Sequence, residues 1–199
     1  LIIIKIGVGS CLSLFYLKQY NNMACLTIGN GRTLPCKKST GGLKAVYFAD
    51  YGTLGTPSIT GSEITGLGGN PDWYKYDING SSSLETTVNS STENGSLFYA
   101  QTLNLSLLVL DKSTQEQIKI LATSRPHVIV EDYNGNLFMI GLENGTETTG
   151  GSIVTGASMG DAQSFSLTLE AKETSPAYFV GSTYDLAADT NASQINPNA

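Results

Sequence analysis

Two groups of residues in the chain have spacings that suggest chemistry. In the first, Gly156-Ala157-Ser158-Met159-Gly160 spells the G-x-S-x-G turn that exposes a nucleophilic serine in many hydrolases. The chain's single histidine, His127, precedes this serine, whereas in those enzymes it follows. A strand pattern also stands where the helix after the serine is expected. We therefore predict a glycine turn at Ser158, a structural role for His127 and no enzymatic activity.

The second group has the spacing of a calcium-binding loop. Asp132, Asn134, Asn136 and Glu143 stand at its first, third, fifth and twelfth positions. The sixth position is Leu137, where such a loop requires glycine for its sharp turn. Asn-Gly between two apolar runs is instead a strong signal for a β-hairpin. We therefore predict a hairpin here, and neither a metal site nor a cofactor site in the chain.

The composition favours a single β-rich domain that does not hold nucleic acid. The chain has 199 residues, of which 40% are hydrophobic and 14% charged, and its net charge is −6. Abundant Gly, Ser, Thr and Asn suit many turns between strands. No basic cluster is larger than Lys37-Lys38, so a surface that tracks phosphates is not expected. An acidic wall along which DNA slides without specific binding is compatible with this charge.

The stretch from Leu97 to Pro126 organises the predicted fold. Residues 97–110 alternate between two faces, as a half-buried strand does, and they exceed the usual strand length. The pattern then changes to that of a helix over 113–124, capped by Ser113 and Glu116 and ended by Arg125-Pro126. The predicted buried face of this helix consists of Ile118, Leu121 and Ala122.

Strand and turn signals fill most of the remaining chain. We predict strands at 43–49, 73–78, 84–89, 127–132, 136–141, 152–157 and 164–171. The second and third of these are expected to form a hairpin around Asn79-Gly80, and 84–89 is also expected to pair with the long strand. Two further hairpins are expected, one from the next two strands and one from the last two. The predicted fold is an antiparallel β-sandwich or barrel with one flanking helix.

The predicted domain occupies residues 23–181. Residues 1–22 are apolar and unlike the rest, which fits either a dispensable extension before Met23 or a signal peptide. Within the domain, 52–72 is a long loop rich in Gly, Thr and Ser that is suited to contact a neighbouring subunit. The polar tail 182–199 is expected to be mobile. The cysteines form no disulfide framework or metal set, and either Cys25 and Cys36 pair or all three, with Cys11, are buried thiols.

Three sets of turn and strand residues carry a family resemblance, which covers most of residues 23–181. The first set is Met23-Ala24-Cys25, Gly31-Arg32, Pro35-Cys36-Lys37, Gly41-Gly42-Leu43-Lys44 and Tyr47-Phe48. The second is Glu131-Asp132-Tyr133-Asn134-Gly135-Asn136 with Gly141. The third is Thr149-Gly150-Gly151, Thr155-Gly156-Ala157, Gly160-Asp161 and Leu167-Thr168-Leu169-Glu170. In these residues the chain resembles structural proteins of tailed-bacteriophage virions, most closely those of the tail tube type.

The resemblance implies a non-enzymatic component of the virion. Proteins of that type assemble with copies of themselves into rings, commonly sixfold, which stack into a tube that conducts DNA. Their other partners are tail and neck proteins, and no membrane is involved. The polar side of the long strand would then be the candidate lumen face, with Gln101, Thr102, Asn104 and Ser106. Acidic side chains elsewhere would discourage DNA from adhering.

Other functions stay open at this point. A capsid-decorating, collar or tail-completion protein of the virion would have the same β architecture. A secreted or lipid-anchored β-sandwich adhesin would require residues 1–22 to be an export signal.

Overall fold

A computed structural model describes residues 31–33, 37, 39–69, 71–79 and 81–181 of the chain. The chain divides into two units, residues 1–38 and 39–199, and every described helix and strand belongs to the second. The predictions for residues 1–22, for the tail 182–199 and for the three cysteines lie outside the described residues.

Eleven strands and one helix make up the described fold. In chain order they are β1 (Leu43–Ala49), β2 (Ser58–Thr60), β3 (Glu63–Gly66), β4 (Tyr74–Asp77), β5 (Ser83–Ser91), β6 (Ser96–Leu108), α1 (Lys112–Thr123), β7 (His127–Asp132), β8 (Leu137–Ile140), β9 (Glu147–Val154), β10 (Ser164–Glu173) and β11 (Tyr178–Val180). Seven strands form one sheet in the order β2-β3-β11-β8-β7-β1-β4, and four form a second in the order β5-β6-β10-β9. The predicted mainly β fold with one helix is therefore confirmed.

The main core lies between the two sheets. Val46 and Val130 of the seven-stranded sheet and Leu103 and Leu169 of the four-stranded sheet belong to one buried cluster, together with Ile118 of α1. Strand alternation sends every second side chain of a strand to the opposite face. The remaining side chains of β1 and β7 therefore need a second cover.

That second cover comes from the segment predicted to be a long loop that contacts a neighbouring subunit. Residues 52–72 contain β2 and β3, and β3 pairs in parallel with β11. Ile64 and Leu67 from this segment, with Trp73 just after it, are buried in a cluster with Tyr47 and Ile129. The prediction of a structureless loop was wrong, because these apolar side chains bury against the sheet of their own chain.

The long strand and three predicted pairings are confirmed. The strand β6 ends two residues before the predicted limit, and β5 pairs with it throughout its own length. The strands β7 and β8 form the hairpin expected at Asn134-Gly135. The strands β9 and β10 also pair, although β9 begins at Glu147, earlier than predicted.

The predicted hairpin around Asn79-Gly80 was wrong. The strand β4 pairs with β1 at the edge of the seven-stranded sheet, whereas β5 belongs to the other sheet. The connection crosses between the sheets and is held at both ends. The Ile78 N–H donates to the Lys44 carbonyl at 3.0 Å, and the Ser82 hydroxyl accepts from the Ser106 N–H at 3.0 Å.

Helix α1 begins one residue earlier than predicted because a different residue caps it. The Asp111 carboxylate accepts from the Thr114 N–H at 3.2 Å, three positions on, as an N-cap does. Ser113, the predicted cap, instead donates its hydroxyl to Asp111. The helix ends before Arg125-Pro126 as expected. Two of the three residues predicted to be buried are so, while the third, Ala122, is exposed.

Candidate functional site

Ser158 lies in a turn and has no histidine partner. Ser158 is exposed between β9 and β10. The N–H groups of Ala157 and Ser158 donate to the Asp161 carboxylate at 2.9 and 2.8 Å, which lowers the pKa of Asp161. Both ring nitrogens of His127 are used elsewhere, as described next. The turn explains this motif without catalysis.

His127 is a buried structural residue. Its Nδ1 lies 2.7 Å from the Gly141 carbonyl, and its Nε2 accepts from the Gly52 N–H at 3.3 Å, so the proton resides on Nδ1. The ring stacks on Tyr51 with 5.1 Å between centroids, and the Arg125 guanidinium carbon lies over the Tyr51 ring, 5.7 Å from its centroid. Burial lowers the pKa of His127, since a charged ring would lose hydration and Nε2 would lose its role as acceptor.

We expect the free energy of unfolding to fall as pH drops below the ordinary histidine pKa of about 6.5, because the unfolded state then binds the proton more readily than the native one. The slope approaches at most about 1.4 kcal/mol per pH unit. Burial raises the pKa of Glu173, which acts in the opposite direction. Urea unfolding of the Glu173→Gln variant between pH 7.5 and 5.5 therefore isolates the contribution of His127. A free energy of unfolding that does not change over this pH range would contradict the buried neutral state of His127.

The calcium spacing is occupied by a hydrogen-bonded turn. The Asp132 carboxylate accepts from the backbone N–H groups of Asn134 and Asn136, both at 2.8 Å, and from both side-chain amides. Burial opposes ionisation of Asp132, but these donors prevail and lower its pKa. The Asn134 side chain also binds both backbone groups of Thr40, since its Oδ1 accepts from the Thr40 N–H and its amide donates to the Thr40 carbonyl. Among the described residues no group of three metal-ligating side chains occurs.

Three of the four residues predicted for the lumen face share the outer face of the four-stranded sheet. Thr102, Asn104 and Ser106 project from the outer face of the four-stranded sheet, away from the core, and are exposed or half-buried. Gln101 is 2% exposed, because its odd position places it on the core side with Leu103. Its amide donates to the Ser175 carbonyl at 3.1 Å, and its Oε1 accepts from the Gly141 N–H at 3.2 Å. Gln101 is therefore a buried structural residue.

Strand register extends this polar face across all four strands. Residues directly opposite each other share a face, which gives the rows Ser83–Asn104–Thr168–Gly150 and Ser106–Ser166–Ser152. Within the first row, the Thr168 hydroxyl donates to Asn104 Oδ1 at 3.1 Å. We call this surface the polar sheet face. Apart from Gly150, these two rows consist of small hydroxyl and amide side chains.

One row of the polar sheet face is acidic. Glu85, Thr102, Glu170 and Glu147 stand side by side on β5, β6, β10 and β9. Directly opposed like charges are destabilising, and two cations offset this repulsion. Arg125 Nε lies 3.1 Å from a carboxylate oxygen of Glu147, and Lys172 Nζ lies 3.6 Å from one of Glu170. Composition could not reveal this row, since only the register brings the three carboxylates together.

Both edges of the four-stranded sheet are long, and in the part of the chain that the structure describes no fifth strand pairs with either of them. The edge strands β5 and β9 have nine and eight residues, and their side chains are mostly exposed. The edges of the other sheet are shorter. There, β2 has three residues, and β4 has four, with an ion pair between Lys75 and Asp77 at 3.0 Å. Short length and charge are the usual protections of an edge against pairing. The four-stranded sheet is therefore the one open to a further strand, along β5 and along β9 beyond Thr148, where the Thr148 hydroxyl donates to the Leu121 carbonyl of α1 at 3.2 Å.

A groove of about 220 Å³ lies between α1 and the β4 edge. Its lining includes Phe48, Tyr74, Tyr76, Ile120 and Pro126. The polar residues Asp50, Gln117 and Ser124 also line it, and it contains neither the histidine nor the serine discussed above.

Neither a protein-family model nor a curated protein matches this chain. Among the described residues, no helix has the length and hydropathy needed to cross a membrane.

Proposed function

We propose that this protein is a structural subunit that assembles with its own copies into rings, and that the rings stack into the DNA-conducting tube of a virion tail. The observation that carries the proposal is the four-stranded sheet, which combines two long open edges with a polar outer face. The family resemblance of the sequence motivates the choice of a tube over other assemblies.

The strand directions allow the sheet to continue between copies. The four strands alternate in direction, so the edge strands β5 and β9 run oppositely. Rotation about an axis along the strands places β9 of one copy antiparallel to β5 of the next, which is a normal pairing. Six copies would contribute 24 strands, and at about 4.8 Å per strand the ring has a backbone radius of roughly 18 Å.

The polar sheet face is suited to line a channel through which DNA passes. Hydroxyl and amide side chains offer no fixed positive charge to phosphates, and counterion release is the main source of DNA affinity. The face contains one acidic row, and two of its carboxylates, Glu170 and Glu147, are paired with Lys172 and Arg125. In the ring this row becomes a continuous acidic band that repels DNA.

Electron microscopy of the full chain at increasing concentration tests this proposal. We expect rings with a central channel, and their loss in a double variant, Thr87→Lys with Ser152→Lys, that adds charge to both open edges. The matched control is Ser58→Lys with Thr60→Lys on the short β2 edge, which should form rings as the natural sequence does. Rings that persist in the first variant, or a natural chain that never forms rings, would refute the proposed assembly.

A further inference from the structure

Asparagine followed by glycine occurs at five places in the chain. These pairs are Asn30-Gly31, Asn79-Gly80, Asn94-Gly95, Asn134-Gly135 and Asn144-Gly145. The structure describes both residues of the last three pairs. Because glycine has no Cβ, its backbone nitrogen can approach the side chain of the preceding asparagine closely. Hydrogen bonds in the folded chain then decide at which pair this approach takes place.

The chemistry of such a pair is an attack of the glycine nitrogen on the asparagine side chain. The glycine N–H passes its proton to water, and the nitrogen forms a bond to the amide carbon Cγ. The bond between Cγ and Nδ2 breaks, and Nδ2 takes up a proton from water and leaves as ammonia. The succinimide ring that results adds one water molecule and opens at either of its two carbonyl–nitrogen bonds. The product is aspartate or isoaspartate, and no electron is transferred.

Asn134 is held in the fold at both reacting groups. Its side-chain amide donates to the Thr40 carbonyl at 2.8 Å and to the Asp132 carboxylate at 3.1 Å. The Gly135 N–H, which would have to attack, donates to the Asp132 carbonyl at 3.2 Å. Both the attacking nitrogen and the leaving amide must therefore be released before this pair can react.

Asn144 is held in the same way, in the connection between β8 and β9. Its side-chain amide donates to the Lys172 carbonyl at 2.8 Å. The N–H of the following residue, Gly145, donates to the Gly141 carbonyl at 3.2 Å, and Gly145 is buried. Asn144 itself is exposed, as Asn134 is, so exposure alone does not distinguish a reactive pair from a protected one.

Asn94 lies in the turn between β5 and β6, where these restraints are missing. Asn94 and Gly95 are exposed, and within the described part of the chain the Asn94 side chain makes no hydrogen bond, although its backbone N–H donates to the Ser91 hydroxyl at 3.4 Å. Beyond the pair Tyr99 and Glu173, β5 is the neighbour of β6 and β10 no longer accompanies it. The turn therefore stands on a two-stranded hairpin, which opens locally at small cost.

We propose that Asn94 is a modification site, at which the chain converts spontaneously to aspartate or isoaspartate with water as the co-reactant. The same dipeptide occurs three times in the described chain, and the fold restrains it at the other two places. The product carries a new carboxylate beside Glu93, and as isoaspartate it also adds a methylene to the backbone of the turn. This modification adds one negative charge to the net charge of −6, and it does not depend on the proposed assembly.

Peptide mapping of the full chain by mass spectrometry, after ageing in mildly alkaline buffer, tests this proposal. We expect conversion at Asn94 to be at least about tenfold faster than at Asn134 or Asn144, because the held pairs react only from a small open fraction. In urea the three pairs should convert at similar rates, since their restraints are lost. Comparable rates at the three pairs in the folded chain, or an Asn94 that stays intact, would overturn the proposal.

Asp132→Ala tests whether hydrogen bonds set this order of rates. The variant removes one acceptor of the Asn134 amide, so conversion at Asn134 should become about fivefold faster, while Asn94 and Asn144 convert as before. The matched control is Asp161→Ala, which removes a carboxylate that accepts from two N–H groups of another turn and should change none of the three rates. An unchanged rate at Asn134 in Asp132→Ala would overturn the protection by hydrogen bonds on which the proposal stands.

Discussion

Replacing Trp73 with alanine is expected to lower the free energy of unfolding by about 4 kcal/mol. Trp73 is fully buried in the cluster that covers the outer side of the seven-stranded sheet, together with Ile64, Leu67 and Met139. The substitution removes a large apolar side chain and leaves a cavity that the backbone of a sheet cannot close. For a chain of this size the thermal midpoint should fall by about 10 °C. Calorimetry and urea unfolding measure both quantities.

Two further variants separate this effect from a general sensitivity of the segment. Trp73→Phe keeps part of the buried volume and should lose about half as much. Tyr74→Ala changes the next residue, which is exposed, and should alter stability by less than about 1 kcal/mol. A loss below about 1 kcal/mol for Trp73→Ala would show that residues 52–73 do not form a firm cover over the sheet.

Most of the four-stranded sheet could be predicted from the sequence, because its signals are local. Alternation in residues 97–110 and 164–171 reports a sheet with one buried face, and the structure confirms both strands. In the seven-stranded sheet, Asn134-Gly135 likewise specifies the hairpin of β7 and β8 through two positions only. Each of these features is decided by residues that are close together in the chain.

Sheet membership could not be predicted in the same way. The strands β4 and β5 are neighbours in sequence, yet they pair with β1 and β6 in different sheets. Their choice depends on apolar partners far away in the chain. The segment 52–72 was misjudged for the same reason, since Ile64 and Leu67 acquire their burial only once the seven-stranded sheet exists.

In the candidate site, too, some residues could be placed from local alternation, and others depend on distant parts of the chain. The parity of positions along β6 correctly assigns Thr102, Asn104 and Ser106 to the polar side, and it would have placed Gln101 in the core had it been applied strictly. The acidic row could not be found, because its carboxylates come from three strands whose register is set by pairing. The positive φ of Val109, 71°, is likewise a property of the folded backbone alone.

Gly68→Ala is expected to destabilise the protein by about 3 kcal/mol, through two independent costs. Gly68 has a φ of +63°, and a Cβ atom built there would lie 2.1 Å from the Thr56 carbonyl oxygen. The backbones of residues 53–56 and 68–69 pass too close together for a side chain. Because the adjacent Leu67 is buried, the segment cannot move away without exposing the cluster around Trp73. Urea unfolding measures the loss.

Three other glycines of the same segment allow the two costs to be measured separately. Gly61 has a φ of +65° with open space around it, so Gly61→Ala should cost about 1 kcal/mol from the backbone alone. At Gly55 the φ is not positive, but a Cβ would lie 1.5 Å from the Gly68 carbonyl oxygen, so Gly55→Ala should cost about 2 kcal/mol from the clash. Gly66 has neither constraint, and Gly66→Ala should be within about 0.5 kcal/mol of the natural chain. Equal losses at Gly66 and Gly68 would contradict the tight packing of this segment, since only the latter position meets another backbone.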